Sequence, residues 1–339
     1  MQRFFFACII LSLSSEANVA MTDTLTALIT CLADGHFHSG EALGRKIGIS
    51  RSAVWKCLKQ LPDHGLSFVA VKGRGYKLNV PLELLDKSSI EATSGHNIEL
   101  FPFIDSTSHY LKQQAELGVP SGRVCIAEAQ TDGKGRRGRK WHSPFGSNVY
   151  LSLLWRFNDG MTGLGGLSLA VAVALMRAFR EGGANRLGIK WPNDIICDNG
   201  KVAGILVDVA GESSGPCYAV VGIGINYGMS DVNTDIVEQA WSALKNEGIA
   251  IGRNEMVGIL LKHLFATMNE YQSKGFAPFR DEWLNYDLYR DRHITLKSAS
   301  GDVTGVERGC DQNGLLIIER DGELVRYAAG DVSLRPTAR

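Results

Sequence analysis

Three short segments carry the residue types that could do chemistry together. The densest is Gln130-Thr131-Asp132-Gly133-Lys134-Gly135-Arg136-Arg137-Gly138-Arg139-Lys140-Trp141, with three glycines and five cations in the nine residues from Gly133 to Trp141. Backbone N–H groups beside guanidinium groups suit a polyphosphate or a mixed anhydride. The second is Lys190-Trp191-Pro192-Asn193-Asp194, followed by Lys201-Val202-Ala203-Gly204. The third, Gly222-Ile223-Gly224-Ile225-Asn226, is an apolar run ending in an amide. Polar groups on rigid strands, opposite a flexible basic loop, would assemble a site for an anionic ligand. Taken singly, each segment also reads as plain structure: a solvated basic surface, a surface pair at Lys190, a turn residue at Asn193, a strand terminator at Asn226. The basic loop contains G-x-G-x-x-G, but it leads into Asn148-Val149-Tyr150-Leu151, a strand, whereas a dinucleotide fingerprint opens a helix. There is no G-x-x-x-x-G-K-[ST] loop, and no Ser/His/Asp triad or cysteine nucleophile stands out.

The elements that must position these segments follow from periodicity. Phe101–Ile104 and Val124–Ala129 are predicted strands flanking a helix near Ser108–Leu117. Val149–Trp155, Ile189–Cys197, Lys201–Val209 and Ala219–Asn226 are further strands, with a hairpin turn at Asp198-Asn199-Gly200. Leu167–Arg180 reads as a long buried helix, and Arg253–Lys274 and Ala277–Asn285 carry helical patterns. Hairpins mixed with helices predict an α+β domain with a mixed, mostly antiparallel sheet. From about Arg290 the chain turns to short strands at Ile294–Lys297, Asp302–Glu307, Gly314–Glu319, Leu324–Tyr327 and Val332–Leu334, with a turn at Asp321-Gly322. That pattern fits a small SH3-like β-barrel, or a simple stabilising cap.

Before this domain lies a small basic one. Leu25, Leu28, Ile29 and Leu32 fall at helical spacing, Asp34-Gly35 stops that helix, and Ser39 caps a second one carrying Leu43 and Ile47. After a turn at Gly48-Ile49, Ser50 caps a third helix with Val54, Cys57, Leu58 and Leu61 on one face and Arg51, Ser52, Trp55, Lys56 and Lys59 on the other. Ser67–Val71, a Lys72-Gly73-Arg74-Gly75 turn and Tyr76–Leu78 then form a basic-tipped hairpin. This is a winged helix-turn-helix. Between Met21 and Val80 eight Lys/Arg stand against four Asp/Glu. Arg51, Ser52 and Lys56 are placed to face base edges, and Lys59 and Arg74 to meet phosphates. A winged helix used only for protein contacts has the same pattern.

Composition sets the frame. At 339 residues, 45% hydrophobic and 21% charged, the chain is globular and holds about two or three domains. Its formal net charge is zero, so nucleic-acid contact must come from a local patch. The seven cysteines are widely spaced with no C-x-x-C pair, which argues against zinc or a disulfide framework and for a reducing cytosol. Arg3 followed by Phe4 to Leu13 and Ala17-Asn18-Val19-Ala20 imitates a secretory signal, but the apolar stretch is too short to span a bilayer. Because a patterned domain opens at Met21, residues 1–20 read as an upstream start extension, with the start at Met1 or Met21 left open. The expected boundaries are 21–82 for the winged helix, 83–288 for a catalytic domain and 289–339 for the C-terminal piece.

Asp105-Ser106-Thr107, Gly133 to Trp141, Lys190 to Asp194, Lys201 to Gly204 and Gly222 to Asn226, in this order behind a winged helix, resemble the bifunctional biotin–protein ligases that double as repressors of the biotin biosynthesis operon. The resemblance runs from about Phe37 to Leu334. It implies a class II synthetase-like catalytic fold and a two-step reaction. Biotin and ATP give biotinyl-5′-AMP and pyrophosphate, with Mg²⁺ expected, and a lysine of the biotin carboxyl carrier protein of acetyl-CoA carboxylase then takes the biotin. The first nucleophile is already ionised, so positioning and phosphate neutralisation must supply the catalysis. By resemblance, Ser106, Thr107 and Gln130 bond the biotin ureido ring, and Gly133 and Lys134 close backbone over it. Lys134 replaces the family's usual Arg, a point charge for a fork. Arg136 holds the biotin carboxylate and phosphate, and Lys201 bridges carboxylate and α-phosphate; these two are the catalytic cations. Trp141 stacks on adenine, Asn226 bonds it, and Asn193 and Asp194 shape the nucleotide side. Ser108 stands where the family often has Asn and is left outside the site. The polar stretch Tyr227 to Asn233 is expected to order over the adenylate with the basic loop, completing a homodimer that binds operator DNA.

Two other readings share these residues. A lipoate or octanoate ligase has the same fold, but its loop is of a different Arg-Arg-x-x-Gly-Gly-Gly type. A biotin-sensing regulator without catalysis would not need Lys201 and Arg136. The expected setting is cytoplasmic, with no membrane partner and no protein-bound metal set.

Overall fold

In the basic N-terminal unit, serine hydroxyls start the helices. The computed structural model describes residues 23–158, 160–229, 240–298 and 301–329, and the backbone of 332–336. The signal-like segment and residues 230–233 of the polar stretch lie outside the described residues. Helix α1 covers residues 23–32. Ser39 accepts from the Ala42 N–H to open α2 (Gly40–Ile47), and Ser50 accepts from Ala53 to open α3 (Arg51–Leu58). Gly48, left-handed at φ 81°, makes the turn between them. Val54, Cys57 and Leu58 of α3 are buried, whereas Arg51, Ser52, Trp55, Lys56 and the following Lys59 are exposed. The wing is β1 (Phe68–Val71) paired antiparallel with β2 (Gly75–Leu78). His38 and Tyr76 exchange backbone hydrogen bonds. A Cβ at Gly75 would lie 2.0 Å from the His38 carbonyl oxygen, so only glycine admits this pairing.

The chain divides into two compact units, Met1–Leu84 with Pro144–Gly146, and Leu85–Ser143 with Ser147–Arg339. The second is built on a seven-stranded sheet. In spatial order its strands are β3 (Glu99–Ile104), β4 (Arg123–Gln130), β5 (Val149–Phe157), β9 (Cys217–Ile225), β8 (Gly200–Gly211), β7 (Asp194–Cys197) and β6 (Gly188–Lys190). Only β3 and β4 pair in parallel, joined by α5 (Thr107–Glu116); the other pairings are antiparallel. Leu111 and Ala115 of α5 pack on Cys125, Leu154 and Val220, which point to one face of the sheet. The other face carries α6 (Leu167–Glu181) and α7 (Arg253–Lys274), with α4 (Lys87–Ser94) against α7. Helix α6 is apolar around nearly its whole girth, as a helix enclosed between sheet and neighbours must be.

One strand expectation is corrected. Ile189–Cys197 is not a single strand: β6 ends at Lys190, the chain reverses through Trp191-Pro192-Asn193 with a cis Trp191–Pro192 peptide, and β7 returns antiparallel. The Lys-Trp-Pro-Asn-Asp segment is therefore itself the turn. Lys190 is buried, not a member of a surface pair. The helix expected over Ala277–Asn285 begins as a 3₁₀ turn and becomes α8 only at Arg280–Tyr286.

The C-terminal segment forms a five-stranded antiparallel sheet in the order β13 (Glu323–Tyr327), β12 (Leu316–Arg320), β11 (Val303–Cys310), β10 (His293–Ser298) and β14 (Val332–Pro336). A bulge interrupts β11 between Glu307 and Cys310.

Candidate active site

The floor of the site is a gap in the side chains of the sheet. Gly204 on β8 and Gly224 on β9 are cross-strand partners, and Gly222 lies two residues before Gly224 on the same face. A Cβ at Gly224 would meet Trp141 at 2.4 Å, and one at Gly204 would meet Trp141 at 3.0 Å and Lys201 Nζ at 2.8 Å. The bare strands thus form a shelf on which the Trp141 indole lies. Above it opens a cleft of about 390 Å³, within the range of small-ligand sites.

The basic loop reaches this shelf as a closed turn. The Trp141 N–H donates to the Gly133 carbonyl and the Gly135 N–H to that of Arg139, with a 3₁₀ turn at Arg136–Gly138 between them. Arg137 takes a left-handed backbone at φ 59°, which costs an L-residue about 1 kcal/mol. Gly133 has no room for a side chain: a Cβ there would lie 2.6 Å from the Trp141 carbonyl oxygen. The Arg136 guanidinium donates to Asn193 Oδ1 at 3.2 Å and to the Ala329 carbonyl. Asn193 is itself fixed to β8, its carbonyl accepting from the Ile205 N–H and its amide donating to the Ile205 carbonyl, each at 2.9 Å. Lys134 turns to Asp132, and this partner holds the Asp132 carboxyl below the usual carboxylate range.

Lys201 enters from the opposite side. Its Nζ lies 2.6 Å from Asp194 Oδ1 and 5.2 Å from the centroid of the Trp141 ring. Its backbone is held on both sides: its N–H donates to the Ala240 carbonyl, and its carbonyl accepts from the Ser242 N–H and the Asn226 side-chain amide. The third wall is hydroxylic. Gln130 Oε1 accepts from the Thr107 N–H and hydroxyl, and Thr107 and Ser108 both bond the hydroxyl of Ser152 on β5, at 2.8 and 3.0 Å. Ser106 caps α5 with a long 3.4 Å bond from His109. His142 also lines the cleft, and burial pushes its imidazole below the usual range.

Ser106, Thr107, Gln130, Lys134, Arg136, Trp141, Asn193, Lys201 and Asn226 all line this one cleft. Gly133 and Asp194 stand directly behind it, the first under Trp141 and the second behind Lys201. Arg51, Ser52, Lys56, Lys59 and Arg74 belong to the winged-helix unit, on the exposed side of α3 and the wing. Sequence reasoning left Ser108 outside the site, whereas it lines the cleft, and missed Ser152 altogether; both are buried polar residues. Ser152 carried a usable signal, a lone hydroxyl inside a strongly apolar strand. The cleft therefore has a neutral hydrogen-bonding end, an aromatic surface, and cations arriving from different elements, among them Arg136 from the basic loop and Lys201 from β8. It can hold an uncharged polar ring at one end and neutralise phosphate at the other.

Residues 100–226 match the Biotin/lipoate A/B protein ligase family, residues 24–77 an HTH domain, and residues 291–335 the Biotin protein ligase C terminal domain. The Bifunctional ligase/repressor BirA of Salmonella typhimurium is 40% identical over 319 residues, which is 93% of this chain and 99% of that protein. The protein of the same name from Escherichia coli is 39% identical over 310 residues, 91% of this chain and 96% of its own. Among solved structures, biotin protein ligase from Aquifex aeolicus in complex with biotin and ATP aligns at a TM-score of 0.61 and 27% identity, covering 71% of this chain and 99% of that one. Identity at this level over nearly the whole chain, with a family match in each of the three segments, establishes that the chain belongs to the bifunctional biotin ligase/repressor family.

Proposed function

We propose that this chain joins biotin to its acceptor in two steps and uses the same ligand state to control transcription. In the first step a biotin carboxylate oxygen attacks the α-phosphorus of ATP and pyrophosphate leaves. In the second, the amine of an acceptor lysine attacks the acyl carbon, loses its proton, and AMP departs. The first step needs no strong base, because its nucleophile is already ionised; in the second, the proton lost by the acceptor amine passes to solvent. The chain's contribution is to align the reactants and neutralise the phosphates.

The observation that carries this reading is the convergence of Arg136 and Lys201 on one glycine-floored cleft beside the Thr107–Gln130–Ser152 hydrogen-bond cluster. Thr107, Gln130 and Ser106 would bind the ureido ring, with the backbone at Gly133 and Lys134 closing over it. Lys201 would leave Asp194 to bridge the carboxylate and the α-phosphate, and Arg136 would hold both against release. Trp141 would stack on adenine, Asn226 would bond it, and Asn193 and Asp194 would border the nucleotide. Mg²⁺ would arrive chelated by ATP. Among the described residues no group of three or more His, Cys, Asp or Glu is arranged to hold a metal.

The winged helix would place Arg51, Ser52 and Lys56 towards bases of the operator and Lys59 and Arg74 towards phosphates, with the adenylate-loaded chain acting as a homodimer. The acceptor would be the biotin carboxyl carrier protein. We further read the catalytic domain as class II synthetase-like and the C-terminal sheet as an SH3-like barrel, and place the protein in the cytoplasm. Among the described residues no helix is long and apolar enough to cross a membrane.

Biotin-dependent ATP–pyrophosphate exchange tests the catalytic reading. Exchange with biotin, absent with lipoate and lost in Lys201→Ala, is the expected result. Exchange with lipoate, or biotin binding without exchange, would overturn it.

A further inference from the structure

On the face of the sheet away from the cleft lies a buried ionic group that the reaction itself does not require. Arg253, at the start of α7 and 1% exposed, pairs with Glu128 of β4 at 2.7 Å. Its other terminal nitrogen donates to the Asn148 carbonyl at 3.1 Å. Asn148 is fully buried; its side-chain oxygen accepts from the Tyr227 N–H at 3.0 Å, and its amide points to Met229 Sδ. The Gly228 N–H donates to the Ser147 carbonyl. The second oxygen of Glu128 accepts from the N–H of Leu85, the first residue of the catalytic unit, and Asn254 accepts from the N–H of Asp86.

A buried ion pair is a poor way to gain stability, because desolvation of both charges offsets their attraction. The residue next to Tyr227 is Asn226, which lines the cleft. Its N–H is held by Val202 and its carbonyl by the Leu244 N–H, each at 2.8 Å. The Asn148 side chain accepts from the backbone N–H immediately after Asn226, and Arg253 in turn donates to the Asn148 carbonyl.

We propose that Arg253 is a positioning residue for the nucleotide side of the cleft, acting through Asn148 on the Asn226–Tyr227 backbone while Glu128 supplies its counter-charge. This rests on the ligase reading above. The group never touches substrate. Its effect should fall on ATP more than on biotin, because Thr107, Gln130 and Ser152 are held by their own bonds on the other face.

The test uses the full chain with Arg253→Met, Arg253→Lys and the double variant Glu128→Met/Arg253→Met, which removes both charges together. Two readouts are taken: the ATP and biotin KM values in pyrophosphate exchange, and hydrogen exchange at the amides of residues 227 and 228. We expect the double variant to stay folded with a lowered melting temperature, because the Leu85 N–H and the Asn148 carbonyl lose partners while no unpaired charge is left buried. Its ATP KM should rise on the order of tenfold, the factor one lost hydrogen bond represents. Its biotin KM should hold, and its 227–228 amides should exchange faster. Arg253→Lys should recover part of the ATP KM. A folded double variant with unchanged ATP KM and unchanged amide exchange would overturn the proposal. The amide measurement needs no ligase activity, so it judges the positioning role even if the unsubstituted chain shows no biotin-dependent exchange.

Discussion

Adding one methyl group at Gly224 should separate the two halves of the cleft. The backbone there is not left-handed, so alanine is conformationally acceptable. The new Cβ would nevertheless sit 2.4 Å from Trp141 Cε2 and 2.7 Å from both Cζ2 and Nε1, where ordinary contact begins at 3.4 Å. The indole must therefore retreat by about 1 Å, a displacement that can cost up to about a hundredfold in an aligned site. Since Trp141 is the surface proposed for adenine, the ATP KM should rise roughly 10- to 100-fold, or about 1.4 to 2.7 kcal/mol. Gly222→Ala is the internal comparison. Its Cβ would strike Ser108 Oγ at 2.6 Å, at the hydroxyl end of the cleft, so it should raise the biotin KM instead. Pyrophosphate exchange with each substrate varied in turn reads both, and thermal melts confirm folding. If both alanines raise the same KM, or if folded Gly224→Ala binds ATP normally, the shelf does not position Trp141 as argued.

Other outcomes follow from the same geometry. Lys201→Ala should lower the exchange rate by about 10²- to 10³-fold, the usual loss for one oxyanion-stabilising group, and biotin binding measured by calorimetry should suffer far less. Equal losses in both would make Lys201 a ground-state binding residue. Burial, together with the neighbouring carboxylate, raises Glu307 well above the ordinary carboxylate range, and burial does the same to Asp287 beside it. Such raised groups stabilise the fold fully below the ordinary carboxylate range, and the stability is lost as pH rises through their folded values. Melting temperatures of Glu307→Gln should therefore fall less steeply than those of the parent from about pH 5 to about pH 8; parallel curves would refute the pairing. In operator binding, Lys59→Ala should reduce the log–log salt slope by about 1 without changing sequence preference. A lost base preference would move Lys59 from phosphate to base contact.

The chain's local patterns determined more of this protein than its length suggests. The apolar spacing of Val54, Cys57, Leu58 and Leu61, between the Ser50 cap and the basic hairpin, specifies the winged helix without outside information. Capping, helical period and hairpin turns are interactions among residues close in sequence, so they can be read directly. The basic loop, Lys201 and Asn226 were legible for the same reason: glycines and cations at close spacing restrict what a loop can do. What the sequence did not contain was register. The alignment of Gly204 with Gly224, the 2.6 Å pairing of Lys201 with Asp194, and the meeting of Thr107, Ser108 and Ser152 depend on how separate strands and a helix align. The Trp191–Asn193 reversal looked like continuous strand because its flanks are equally apolar. Glu128, Asn148 and Arg253 join residues up to 125 positions apart. Such contacts have no local period, and only closure of the tertiary core brings those buried polar groups together and forces them to satisfy one another.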